Sequence, residues 1–92
     1  MSSPSGTLSD RIAAMLRQLL PPDTIVDVSA SGVRDNLHVL VVSRKLDKMS
    51  ERQKQEYLWG MLEEAVKKTE LTQQELDRVS LVLPVSVDEL RR

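Results

Sequence analysis

"LHVLVVSRKLDKMSERQKQEYLWGMLEEA", Leu37–Ala65, decides the architecture. Apolar residues fall on both parities of Leu37–Val42, the pattern of a strand covered at least in part on both faces and so placed centrally in a sheet. Ser50 then opens "SERQ", a capping box in which the Ser hydroxyl accepts from the Gln53 N–H while the Gln side chain reaches back. The spacing predicts a helix from about Glu51 to Lys68, with Leu58, Met61, Leu62 and Ala65 as its stripe and Tyr57 and Trp59 on opposite flanks. "RVSLVLP", Arg78–Pro84, supplies another strand. Strand, helix and strand in that order require a parallel pair joined by a right-handed crossover.

Working outward, Leu8, Ile12, Met15, Leu16 and Leu19 recur at helical spacing, Asp10 lies in the first turn, and Pro21 and Pro22 stop the run. "TIVDVS", Thr24–Ser29, reads as a strand, and "ASGVRDN" as the turn that folds it back on the Leu37 strand in a hairpin. "TQQE" at Thr72 is a second capping box, with Leu71 and Leu76 placed as a hydrophobic staple, and predicts a short helix near 73–77. "SVDE" at Ser86 is a third, opening a terminal helical turn. The fold class is therefore α+β: a three-stranded mixed sheet in the order 1-2-3 with two main helices on one face, in the chain order α-β-β-α-α-β-α. Leu8, Ile12, Leu16, Val39, Val41, Leu58, Leu62, Leu81 and Leu83 are expected to meet in one core. Residues 1–6 read as a flexible lead-in to a single domain over 7–92.

Ninety-two residues suit one small domain with one core, and 40% hydrophobic with 29% charged residues describes a folded globular chain. Thirteen Lys and Arg against fourteen Asp and Glu leave a net charge of -1, so nothing global attracts phosphate. The chain has no cysteine, which excludes a disulfide framework, a thiolate metal site and a thiol nucleophile. "MSSPSGT" lacks the basic start and apolar run of a signal peptide and no later run reaches bilayer length, so a cytoplasmic location without membrane contact is the expectation.

The stretch Leu37–Ala65 resembles, without a gap, the middle of BolA-like proteins, where an apolar strand ending in V-S leads through a short loop to a helix carrying R-H-R; "SVDEL" is similar to that family's closing T-x-x-E-W. The resemblance implies a BolA-like, class II KH-like topology and two associated activities: partnership with monothiol glutaredoxins around a shared iron–sulfur cluster, and regulation through DNA binding. The departures are specific. R-H-R falls on Lys54, Gln55 and Glu56, the family's ligating His ahead of the third strand falls near Arg78 after an insertion around "KKTELTQQ", and "SASGVRDN" holds no Cys or His for a second ligand. Arg offers no lone pair to a metal, so a glutaredoxin partner is expected without cluster sharing.

Arg44, Lys45, Lys48, Arg52 and Lys54, with Gln55 and Trp59, form the candidate surface for a protein partner or for nucleic acid. A class II KH groove would lie here, but no G-x-x-G loop is present, and Asp47, Glu51 and Glu56 interrupt the positive field. The plain structural reading is a solvated charged loop leading into a core helix. Ser29, Ser31 and Ser43 have no base at a recognisable spacing, Glu63 and Glu64 point to different parts of a helix surface, and His38, the only His, lacks co-ligands. The expectation is a non-catalytic interaction or regulatory module, without cofactor or metal, whose partner is another protein. A nucleic-acid-binding KH-like domain is the alternative, and a homodimerising structural subunit a third reading.

Overall fold

A computed structural model describes residues 7–90; the lead-in expected over 1–6 lies outside the described residues. Thr7 opens helix α1, Leu8–Leu19, its hydroxyl accepting from the Asp10 N–H at 3.1 Å. Leu20, directly before proline, turns extended and ends it. Strand β1, Ile25–Ala30, runs antiparallel to β2, Leu37–Ser43, and β2 runs parallel to β3, Val79–Ser86, in the sheet order β1-β2-β3. The crossover from β2 to β3 carries α2, Glu51–Lys67, and α3, Gln73–Asp77, and α4, Val87–Leu90, closes the described chain. This is the α+β topology expected from the letters.

All three capping boxes form. Ser50 accepts from Gln53 N–H at 3.1 Å while Gln53 accepts from Ser50 N–H at 2.8 Å, and Thr72 with Glu75 repeats the exchange at 3.1 and 3.0 Å. In the third, the Glu89 carboxylate accepts from the Ser86 N–H at 2.9 Å. Helix α2 ends in a Schellman pair, Glu70 N–H to Ala65 C=O and Thr69 N–H to Val66 C=O, with Thr69 left-handed at φ 62°. No helix among the described residues is long and apolar enough to cross a membrane.

The core lies between the sheet and the helices. Ile12 and Leu16 from α1, Leu58 and Leu62 from α2, and Val39 and Val41 from β2 are essentially sealed, with Leu8 beside them. Leu81 and Leu83 are not in this core: they are 39% and 45% exposed on the opposite face, and Val79 and Val82 take the inward places. The cause is a β-bulge. Leu37 pairs with Val79 but His38 pairs with Leu81, so Ser80 is an unpaired extra residue that resets the alternation. β2 is the central strand, with Leu37, Val39, Val41 and Ser43 buried on one face and His38, Leu40 and Val42 half-buried on the other.

Candidate functional site

Of the basic residues after β2, Arg44, Lys45, Lys48 and Arg52 are exposed and Lys54 is buried. Arg44 and Lys45 sit exposed on a 3₁₀ turn, Arg44–Leu46, that Ser43 caps, and Lys48 stands beyond it in a left-handed conformation. Arg44 Nε pairs with Asp23 at 2.9 Å and Arg52 Nε with Glu56 at 3.2 Å, both pairs well exposed and therefore weak. Lys54 leaves the surface altogether: only 3% of its side chain is exposed, and its ammonium donates to Glu51 at 3.1 Å and to Glu89. That contact with Glu89 holds the Lys54 pKa up, and with the Ser86 donors it draws the Glu89 carboxyl down to about 2. Lys54 thus fastens α4 to α2 and offers no charge to a ligand.

Gln55 and Trp59 are also engaged within the chain. The Trp59 indole donates to Gln55 Oε1 at 3.1 Å, and Gln55 Nε2 donates to the Val82 carbonyl at 2.9 Å. Arg78, near the place where the family resemblance expects a ligating His, donates to the Asp35 carbonyl at 2.9 Å and ties the hairpin loop to the start of β3. The same contacts close the β3 edge. The Val82 carbonyl belongs to Gln55, Pro84 has no N–H, and the Ser86 N–H belongs to Glu89, so an added strand has little to pair with there. A bidentate pair, Arg11 to Glu75 at 2.8 and 2.6 Å, fastens α3 to α1 as Lys54 fastens α4 to α2, raising the Arg11 pKa and lowering that of Glu75.

Among the described residues, two apolar surfaces remain without cover. The first is the sheet face turned away from the helices. Its rows follow from the strand register: Ile25, Val42 and Val85; Asp27, Leu40 and Leu83; Ser29, His38 and Leu81. Ile25 is 57% exposed, and Leu40, Val42, Val85 and His38 are half-buried. The β2 and β3 columns carry no charged side chain, and Asp27 stands at the β1 margin. The second surface is an open groove of about 540 Å³ between α1 and α2, walled by Met15, Leu19, Tyr57 and Met61. Gly60 lies in it. A Cβ at Gly60 would meet no atom within 4 Å, so packing within the chain does not require glycine there, although glycine inside a helix costs about 0.5–1 kcal/mol relative to alanine.

Among the described residues, no group of three or more His, Cys, Asp or Glu side chains converges to hold a metal ion. His38 sits between Ser29 and Leu81 on the open face. Comparison with protein-family models, curated proteins and solved structures gave no match for this chain. Reading the letters directs attention to the basic loop and misses the open sheet face. A signal was present: β2 is apolar on both parities, whereas the chain holds main helices for only one side of a sheet.

Proposed function

We propose that this chain is a non-catalytic BolA-like interaction module that works through the open face of its sheet, and that the partner seated there is a second copy of the chain. One observation carries the reading: Ile25, Leu40, Val42, Leu81, Leu83 and Val85 form a continuous aliphatic face that no element of the described chain covers. Such contiguous apolar patches mark interaction sites. A second copy fits by symmetry. A two-fold axis running along the strands between β2 and β3 sets Leu40 over Leu83 and Val42 over Val85 of the other molecule, while Asp27 stays at the solvated rim. An apolar centre with a polar margin results, and no like charges meet.

The largest apolar patch on a typical monomer spans roughly 300–600 Å², below the roughly 800 Å² that each partner contributes to a standard interface, so a self-association resting on such a patch is weak and reversible. Sedimentation equilibrium from about 10 μM to about 1 mM tests it, a range chosen for an affinity near the micromolar-to-millimolar boundary. The expected result is a mass that climbs toward the dimer, and a Leu83→Asp variant that stays monomeric with an unchanged circular dichroism spectrum. The nucleic-acid alternative draws on Lys45 and Lys48, since Arg44 and Arg52 already face carboxylates and Lys54 is buried. Submicromolar, steeply salt-dependent binding of RNA or DNA that is lost on Lys45→Ala with Lys48→Ala, from a chain that stays monomeric, would transfer the assignment to that alternative.

A further inference from the structure

We propose that the groove between α1 and α2 is a docking site for a basic amphipathic helix of a partner protein. The groove opens on the helical layer, on the far side of the sheet from the self-association face, and its argument does not depend on that face. Three observations converge on this occupant.

The first is shape and lining. Met15 and Leu19 on α1 and Tyr57 and Met61 on α2 line the opening together, with Leu19 52% exposed although it belongs to the apolar stripe of its helix. An apolar trough between two helices is the form that receives a third helix, read through side chains at i, i+3, i+4 and i+7. Methionines on opposite walls let the trough adapt to such a ridge, because the unbranched thioether repacks at little cost.

The second is Gly60. It keeps the middle of α2 free of a side chain beside the groove, and among the described residues nothing uses the space. A helix carries such a residue against its own propensity where something from outside comes close to its backbone.

The third is charge. Glu56, Glu64 and Glu70 line the groove; Glu56 is paired with Arg52 and Lys68 is the cation among them, so Glu64 and Glu70 carry the acidic rim. An apolar floor with an acidic rim complements a helix that carries leucine or similar residues on one side and lysine or arginine on the flanks. The same carboxylates oppose nucleic acid and anionic lipid. They also oppose a second copy of this groove, which would bring its own acidic rim against them.

The test uses the full chain with its methionine methyl groups labelled for NMR, and a synthetic peptide probe of about four helical turns with Leu at i, i+3, i+4 and i+7 and Lys at the remaining positions. Expected are saturable shifts of the Met15 and Met61 methyls, a gain of peptide helicity, and weakening by about tenfold or more in Gly60→Leu and in the double variant Glu64→Lys, Glu70→Lys. The charge variant alters exposed side chains only, so it carries the test if Gly60→Leu disturbs the helix. A matched peptide with Glu in place of Lys should not saturate. Equal binding of the Glu peptide, methyl shifts unchanged in both variants, or no saturable shift of either methyl would each overturn the proposal. Self-association lost in Gly60→Leu would assign the groove to a second copy and overturn it as well.

Discussion

Val39 and Leu40 are neighbours on one strand, both aliphatic, and the fold treats them oppositely. Val39 is 1% exposed beneath the helices, while Leu40 lies half-buried on a face that nothing in the described chain covers. The covered face is built the ordinary way, with α1 over β1 and α2 over β3. The open face carries six aliphatic residues beside Asp27, Ser29 and His38, in the position of a surface. Burial of aliphatic area is the main favourable term in folding, so the proposed partner would gain most over the aliphatic residues that lie outside the core. The difference between the two faces is what makes an interaction module the reading of this chain.

The largest effect that should separate the faces is on stability. Leu62, 1% exposed under the sheet, should cost about 2–5 kcal/mol on Leu62→Ala in urea denaturation. A loss below about 1 kcal/mol would mean that the helix stripe does not pack on the sheet. Deletion of Ser80 sharpens the comparison further. Because Ser80 is the bulged residue, its removal leaves Val79 and Val82 inward and Leu81 and Leu83 outward, at a cost of about 1 kcal/mol, chiefly its hydroxyl contact with the Leu37 carbonyl at 3.3 Å. An unfolded deletion variant would show that the register runs without a bulge and that the faces are assigned wrongly.

Acid should weaken the contact between Lys54 and Glu89. Glu89 is held down to about 2 from an ordinary 4.5 by Lys54 and the Ser86 donors. Its pKa is lower folded than unfolded, so the unfolded chain takes up its proton first as the pH falls. The contribution is therefore complete above pH 4.5 and is lost progressively toward pH 2. Glu89→Gln should flatten the stability-against-pH curve in that window; an unchanged slope would remove the Lys54–Glu89 latch from the account. The smallest effect belongs to the open face. Leu83→Ala, at a residue 45% exposed, should change monomer stability by less than about 1 kcal/mol when measured at dilution.

What the letters carry and what they do not divides along the same line. Local signals were legible: the Ser50, Thr72 and Ser86 boxes, the Pro21–Pro22 stop, the helical spacing of Ile12 and Leu16, and the turn chemistry of the hairpin all form as expected. Each depends on residues within a few positions of one another. The bulge was illegible because Ser80 between Val79 and Leu81 looks like any strand residue, and only its pairing with a strand more than forty positions earlier reveals it. Lys54 read as a surface cation because Glu89, which neutralises it, is 35 residues away in sequence. The basic run was legible in part: Arg52–Glu56 and Lys54–Glu51 join residues three or four positions apart, but Arg44–Asp23 and Lys54–Glu89 join residues far apart in sequence.

The central claim is that the uncovered sheet face meets its own copy, and cross-linking tests it most directly. The chain has no cysteine, so Leu83→Cys places one thiol on the open face and Ala14→Cys places one on the exposed outer side of α1. Packed sheets lie about 10 Å apart, within reach of a short bismaleimide. The account predicts covalent dimer from Leu83→Cys that disappears when Leu40→Asp is added, and none from Ala14→Cys. Dimer from Ala14→Cys in equal yield, or none from Leu83→Cys at millimolar protein, would contradict it.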